Sequence, residues 1–246
     1  MYRRDAPHIG RWFTHLRARP EWRSRWRDAV RESAVGDPRP FFEYWPSSGN
    51  LLYQAYHVCR FEDVTGARLS EADVVVEFGG GYGAFCRLLC ALGFRGTYTI
   101  FDFPEFSALQ RFYLRAHGLP VAFRPRPADG RLRIVTVAAL DELDRLLSTD
   151  APGRRAFVAL WSLSESPVSL RDEIMRRVLG FDFFAFGYVG DAVNAAWFGE
   201  MRARLGDVEW HESPLLEAGA TYRLLFGARA ARPCADGHAA EASPRR

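Results

Sequence analysis

A run of glycines behind an acidic residue is the first feature of this 246-residue sequence with the spacing of a binding site. The run reads Glu77-Phe-Gly79-Gly-Gly81-Tyr-Gly83, an ExGxGxG pattern. Glycines allow positive φ and close approach of a ligand, and a helix that starts there offers unpaired N–H groups. Asp102 follows 21 residues after Gly81, where a doubly wound fold places the carboxylate that binds ribose hydroxyls. Together the two features predict a cofactor that contains a nucleoside.

The spacing of these glycines fits two cofactors, a nicotinamide dinucleotide and S-adenosylmethionine. Gly79, Gly81 and Ala84 also fit the dinucleotide pattern GxGxxA, so an NAD(P)-dependent oxidoreductase stays open as an alternative. Glu77 favours S-adenosylmethionine, because an acidic group suits the charged methionine end and would repel a diphosphate. An antiparallel pair expected at the end of the sheet and a helical segment before its first strand favour the same cofactor. A non-catalytic module that binds the cofactor and docks another protein is the second alternative.

Methyl transfer to a hydroxyl requires the loss of one proton, and the sequence offers two candidate bases. Glu165 follows a predicted strand at 156–161, at the sheet edge where open α/β folds bind ligands; it equally suits a helix N-terminus. His57 is expected on the polar side of a helix, and the ordinary histidine pKa near 6.5 suits proton abstraction. A surface role is the alternative for His57. Asp191 and Asn194 form only a faint metal-binding pattern, so no metal site is assigned.

The chain around these residues alternates strand and helix, which predicts a mostly parallel, doubly wound α/β sheet. Before the first strand, residues 1–40 are predicted to be helical, because Trp22, Trp26 and Val30 recur at four-residue spacing. Helices are expected at 50–64, 85–92, 104–117, 139–147, 170–179 and 192–205. Strands are expected at 73–78, 97–101, 156–161, 181–186, 208–211 and 222–226, with further candidates at 121–123 and 134–137 around a turn at Asp129-Gly130.

We predict a helical cap over residues 1–70, a cofactor-binding domain over 71–228 and a disordered tail over 229–246.

Composition and charge exclude several classes of function. All 33 basic residues are arginine, which excludes lysine Schiff bases and the GxxxxGK[ST] phosphate loop. An excess of about +5 over residues 1–36 is interpreted as a solvated helix face rather than a nucleic-acid contact. The four cysteines lack a CxxC pair, and with no apolar run of about 20 residues we expect a cytoplasmic protein.

Three segments carry a resemblance to a known family. EFGGGYG, FDFPEFSALQRFYL and WSLSESP resemble the sugar O-methyltransferases, a branch of the class I S-adenosylmethionine-dependent methyltransferases. The similarity runs from about Tyr53 to Gly227 and leaves the first 40 residues outside. It implies a seven-stranded, Rossmann-like sheet and a sugar or sugar-like hydroxyl as acceptor. It also implies a cofactor site, to which we add Phe103 and which comprises Glu77, Gly79, Gly81, Gly83, Asp102 and Phe103.

We therefore expect an S-adenosylmethionine-dependent O-methyltransferase with a small-molecule acceptor, a sugar or a glycosylated natural product. Transfer to nitrogen is an alternative within the same fold, because an amine needs less help from a base. No nucleic acid and no membrane is expected as a partner. The oligomeric state stays open, with a homodimer among the options.

Overall fold

The structure is a computed structural model, and it describes residues 2–122, 132–149, 153–215 and 221–230. The turn predicted at Asp129-Gly130 and most of the predicted tail lie outside these residues. Within the described ranges, no helix has the length and apolar character to cross a membrane. The predicted division of the chain at residue 70 stays a prediction.

The described chain begins with helices and a short hairpin that precede the main sheet. These elements are α1 (Tyr2–Arg17), α2 (Trp26–Ala29), β1 (Pro40–Phe41), β2 (Tyr44–Ser48) and α3 (Gly49–Thr65). The prediction of one helical segment over residues 1–40 is correct only in part: α1 ends at Arg17, Pro20 starts a separate single turn, α2 is four residues long, and no helix of the described chain follows it before the hairpin. The four-residue spacing of Trp22, Trp26 and Val30 instead reflects three side chains that pack into one core.

Helix α3 begins and ends on signals that the sequence carries. Ser48 caps its first turn, since its Oγ accepts a hydrogen bond from the Leu51 N–H at 3.1 Å. Gly66 ends the helix in the left-handed conformation, with φ of +66°. The helix predicted at 50–64 is therefore confirmed, one residue longer at each end.

The main sheet has eight strands in the order β5-β6-β4-β3-β7-β8-β10-β9. Their ranges are β3 (Val74–Phe78), β4 (Thr97–Phe101), β5 (Val121–Ala122), β6 (Arg133–Val137), β7 (Arg155–Leu160), β8 (Phe183–Val189), β9 (Val208–Pro214) and β10 (Tyr222–Arg229). The expected count of seven is one short, because β5 adds two residues at the edge, parallel to β6. Strand β10 pairs antiparallel with β8 and β9, so the antiparallel end of a mostly parallel sheet is confirmed.

Helices cover both faces of this sheet, which is the doubly wound arrangement that the alternation predicts. The remaining helices are α4 (Ala84–Ala91), α5 (Pro104–Ala116), α6 (Leu140–Thr149), α7 (Val168–Val178) and α8 (Ala192–Arg204). One core joins α1, α3, α4 and α5 to the sheet, and a second core joins α6, α7 and α8 to the opposite face. The first 65 residues thus share a core with the face that α4 and α5 cover.

The strand order reverses at β3, so the carboxyl ends of β3 and β7 are where a ligand crevice is expected. The chain moves from β3 outward to β4 and β6, and then returns to place β7 on the other side of β3. Open α/β sheets bind ligands at such a reversal, because the connections on either side leave in opposite directions. The glycine run after β3 and the segment after β7 meet at this position.

A buried ion pair ties the residues before β1 to α3. Arg25 donates two hydrogen bonds to the Glu62 carboxylate, at 2.7 and 2.6 Å. The two side chains are 14% and 4% exposed. Arg19 lies 3.8 Å from the same carboxylate. Removing Arg25 therefore leaves a buried charge with a single, longer contact.

We predict that Arg25→Ala lowers the free energy of unfolding by about 3 kcal/mol. The reason is that the Glu62 carboxylate would stay buried without the partner that compensates for its desolvation. Urea denaturation followed by circular dichroism measures this loss. Arg145→Ala is the control, since Arg145 and Asp141 form a pair whose side chains are 65% and 75% exposed. It should cost less than about 1 kcal/mol. Equal losses in the two variants would contradict a structural role for the Arg25 pair.

Candidate cofactor and acceptor site

The glycine loop between β3 and α4 adopts a backbone that other residues rarely adopt. Gly79, Gly81 and Gly83 have φ of +74°, +55° and +97°. A Cβ on Gly79 would lie 2.3 Å from the Cβ of Ser162, so a glycine is required there for space as well. Around Gly81, no described atom lies within 4 Å of such a Cβ, so this side of the loop is open. The loop is therefore closed toward β7 and open where a ligand would approach.

Asp102, which follows β4, is bonded directly to this loop. Its Oδ2 accepts hydrogen bonds from the Gly81 N–H at 3.1 Å and from Gln110 Nε2 at 2.9 Å. Its Oδ1 accepts one from the Phe103 N–H at 2.8 Å. Burial raises the pKa of Asp102, although these three hydrogen bonds act in the opposite direction. The structure thus brings the two parts of the predicted nucleoside site into contact.

Gln110 is a member of this cluster that the sequence reasoning missed. It also donates to the Gly81 carbonyl oxygen at 2.9 Å, so one side chain bridges the loop and the aspartate. The sequence could have indicated Gln110 by its position, which is eight residues after Asp102 and two turns into the helix that follows. Phe103 is 71% exposed beside this cluster, and its predicted cofactor contact stays a prediction.

Glu77 lies beneath the loop and is almost fully buried. The Tyr98 hydroxyl donates to Glu77 Oε2 at 2.9 Å, and a Cβ on Gly80 would lie 2.9 Å from the same oxygen. Burial raises the pKa of Glu77 to about 7, which the Tyr98 hydrogen bond only partly offsets. Near neutral pH the carboxyl is therefore divided between its protonated and ionised forms.

Trp161 begins the segment after β7 in a strained conformation, with φ of +76°. Its ring packs against Gly187, where a Cβ would lie 3.0 Å away, and edge-on against the ring of Tyr222. The next residue, Ser162, donates from its hydroxyl to the Phe78 carbonyl oxygen. These contacts fix the start of the segment against β3 and β8.

Glu165 lies on the exposed side of the same segment. Its backbone N–H donates to the Trp161 carbonyl oxygen at 3.2 Å. The segment is held from below by Arg171, a buried side chain that donates to the carbonyl oxygens of Ser164 and Ser166 at 2.6 and 2.8 Å. Glu165 is therefore exposed on a segment that Arg171 holds in place, and its role as a base stays a prediction.

Asp191 and Asn194 belong to this support. Arg171 donates to Asn194 Oδ1 at 2.7 Å, and Asn194 Nδ2 donates to Asp191 Oδ2 at 2.9 Å. Asp191 also caps α8 by accepting from the Asn194 N–H at 2.8 Å. The polar atoms of both residues are thus engaged in holding α7, α8 and the segment after β7 together, which explains their spacing without a metal ion.

His57 does not lie on a polar, solvent-facing side of α3, so that expectation is wrong. It is 1% exposed, because the ring packs between Tyr53 and Trp161. Its Nδ1 lies 2.7 Å from the Tyr53 carbonyl oxygen, and its Nε2 has no hydrogen-bond partner among the described residues. Desolvation lowers the pKa of His57 to about 4, so the ring is neutral at pH 7.

His117 shows what is unusual about His57. It makes the same local contact, with Nδ1 2.8 Å from the Tyr113 carbonyl oxygen. Its Nε2, however, lies 2.6 Å from the Ser33 hydroxyl. Since a carbonyl oxygen only accepts, His57 carries its proton on Nδ1 and presents a bare lone pair on Nε2. The role of His57 as a base stays a prediction.

Tyr188, Trp197 and Phe198 lie in β8 or follow it, but they pack in the second core, on the face that α8 covers. His211 is on the edge strand β9, 3.4 Å from Glu209.

Comparisons with known proteins identify the fold. Neither a scan of protein families nor a search of curated proteins finds a match to this chain. Among solved structures, the METTL16 methyltransferase domain is 14% identical with a TM-score of 0.52, and the match covers 90% of this chain and 79% of that one. The methyltransferase domain of bacterial CtHen1 is 12% identical with a TM-score of 0.51, covering 73% and 98%.

An O-methyltransferase family protein from Burkholderia thailandensis is 15% identical over 74% of this chain and 57% of that one, with a TM-score of 0.49. Because the METTL16 and CtHen1 domains are only 14% and 12% identical to this chain, their likeness to it concerns the fold alone. The chain has the mixed α/β, Rossmann-like fold seen in methyltransferase domains, with a mostly parallel central sheet.

Proposed function

We propose that this protein is an S-adenosylmethionine-dependent O-methyltransferase that acts on a hydroxyl of a sugar or glycosylated natural product. One observation carries the proposal: the left-handed glycine loop after β3 is hydrogen-bonded to the carboxylate at the end of β4. This arrangement places a carboxylate that can accept hydrogen bonds from ribose hydroxyls next to the loop that leads into the N-terminus of α4. The fold shared with methyltransferase domains supports it.

The residues present fit this cofactor. The open side of Gly81 leaves room for a ligand against the loop, and Asp102 is the acceptor for ribose hydroxyls. Glu77 is assigned to the methionine ammonium group, which would stabilise its ionised form. When bound, the cofactor supplies a methyl group that is already activated by the sulfonium. The protein then has to orient the acceptor and remove one proton.

An NAD(P)-dependent oxidoreductase is the alternative function that the same glycine pattern fits. Two observations favour the methyl donor. The buried carboxyl of Glu77 beneath the loop would repel a diphosphate, and β10 runs antiparallel at the end of the sheet. A turnover assay distinguishes the proposal from a non-catalytic module, which would bind S-adenosylmethionine without releasing S-adenosylhomocysteine.

His57 is the general base that we assign first. Its tautomer is fixed by the Tyr53 carbonyl, so Nε2 is ready to accept the hydroxyl proton without a prior proton shift. Trp161 packs against its ring, at the start of the segment that borders the glycine loop. Glu165, on the rim of the same segment, is assigned to hold a sugar hydroxyl by accepting its hydrogen bond. Because His57 is buried, it can act as a base only while the bound methyl acceptor keeps water away from it.

Asp102→Ala should weaken S-adenosylmethionine binding by about 1–3 kcal/mol, the usual cost of losing a hydrogen bond to a charged group. Isothermal titration calorimetry measures the change. Glu105→Ala is the control, because Glu105 is an exposed acidic residue three positions further along. An unchanged dissociation constant in Asp102→Ala would remove Asp102 from the cofactor site.

The affinity for S-adenosylmethionine should increase about tenfold between pH 6 and pH 7.5. Because the pKa of Glu77 is raised to about 7, the free protein must lose a proton there before the carboxylate can bind an ammonium group. Calorimetry at several pH values tests this, with Glu77→Gln as the comparison. A flat profile in the wild type, or the same slope in Glu77→Gln, would contradict the assignment.

His57→Gln should lower kcat by a factor of about 10²–10⁴, the usual contribution of a general base, and leave S-adenosylmethionine affinity unchanged. His117→Gln is the matched control, since its ring makes the same contact within its own helix. At saturating S-adenosylmethionine, the wild-type kcat should fall only as pH approaches 4, where His57 becomes protonated. If Glu165→Gln abolishes turnover and His57→Gln does not, the two roles are reversed.

A further inference from the structure

The outward side of helix α5 carries large apolar side chains that the described chain leaves exposed. The inward side is packed against the rest of the protein, through Ser107, Gln110, Tyr113 and Leu114. On the outward side, Phe106, Leu109 and Phe112 are 44%, 45% and 67% exposed. Several large apolar side chains gathered in water mark an interaction surface, whereas single ones do not. The proposed function uses none of these three side chains.

The exposed positions of α5 have the spacing of a helix–helix contact. Six of them form a single line along the helix, the α5 stripe: Glu105, Ala108, Leu109, Phe112, Arg115 and Ala116. Their separations alternate between three or four residues, which keeps side chains on one side of an α-helix. Two helices that pack side by side meet through residues with this alternation. The stripe therefore suits a second helix as its partner.

The charges of the stripe indicate that this second helix is a copy of α5. Glu105 lies in the first turn and Arg115 in the last turn, about 15 Å apart along the axis, so they cannot pair within one helix. In two antiparallel copies, each Glu105 lies opposite the Arg115 of the other copy. Arg111 does not disturb this order, because it donates to the Thr136 hydroxyl of its own β6 at 2.8 Å. The stripe is thus complementary in charge to itself under a twofold axis.

The same antiparallel register also fits the side chains together. Glu105, Ala108, Leu109 and Phe112 have the i, i+3, i+4, i+7 spacing of a hole that accepts a side chain from a facing helix. When Glu105 lies opposite Arg115, the residue of the second copy that faces the middle of this hole is Phe112. The small side chain of Ala108 leaves room for that ring. One register therefore satisfies the charges and the apolar side chains.

We propose that the α5 stripe is the twofold interface of a homodimer, in which the α5 helices of two copies of this chain pack antiparallel. The inference goes beyond the proposed function and does not rest on it, since no contact with a methyl donor or acceptor enters. With Phe106 at its side, the stripe offers roughly 300 Å² of exposed apolar surface per copy. This area is below the ~800 Å² per partner of a standard interface, so the dimer should be weak and depend on concentration.

Sedimentation velocity on the full chain, from about 1 to 100 μM, tests the interface. The wild type should change from mostly monomer to mostly dimer over this range. Phe112→Ala should weaken dimerisation about tenfold or more, because each dimer loses two aromatic contacts. Val193→Ala is the control, since Val193 is 61% exposed on α8, which covers the opposite face of the sheet. Circular dichroism verifies that each variant is folded.

Charge reversal tests the antiparallel register. Glu105→Arg should weaken the dimer, because arginines would then meet at both ends of the interface, and added salt should reduce the loss. Arg115→Glu in the same chain should restore dimerisation, since each opposite pair is re-formed with its signs exchanged.

Three results would overturn the inference. One is a wild type that stays monomeric at about 100 μM, including a monomer that instead binds vesicles of phosphatidylglycerol. Another is equal dimerisation of Phe112→Ala and Val193→Ala. The third is a folded double variant, Glu105→Arg with Arg115→Glu, that dimerises no better than Glu105→Arg alone.

Discussion

The hydrogen bond from the Gly81 N–H to Asp102, and the Gln110 side chain that bridges the same two residues, are the constraint on which the rest of the site depends. They join the turn after β3 to the end of β4, so the two adjacent strands present one surface. The loop can make these bonds only because its glycines adopt positive φ. Both strands are buried within the sheet, and the core beneath them fixes their register. The geometry of the crevice thus follows from packing that extends across the whole sheet.

Burial acts on the ionisable groups of the site in a consistent direction. Glu77 and His57 lie on the face that the cap and α4 cover, and in both the pKa is shifted toward the neutral form. A neutral histidine is the form that accepts a proton, and a carboxyl that titrates near pH 7 responds to a nearby cation. The first 65 residues therefore contribute more than shielding, since α3 sets the environment of the proposed base.

Features that depend on local sequence were predictable. The glycine loop follows from the φ requirement of Gly79, Gly81 and Gly83, and Asp102 from its place after a buried strand. The alternation of strand and helix predicted the doubly wound sheet, and the strand candidate at 121–123 corresponds to β5.

Features that depend on distant contacts were not predictable. Arg171 supports the Glu165 segment through backbone oxygens and Asn194, and a sequence does not reveal which arginine is buried. The burial of His57 was missed because helical periodicity identifies a face without showing what covers it. The hairpin β1–β2 was missed because aromatic spacing in that region reflects a shared core. In each case the missing information is the partner that packs from elsewhere in the chain.

The most direct test of the central claim is a calorimetric titration of the wild-type protein with S-adenosylmethionine and with NADH, side by side under the same conditions. The account predicts saturable binding of S-adenosylmethionine at one site per chain and no heat of binding with NADH. Binding of NADH with no response to S-adenosylmethionine would contradict it.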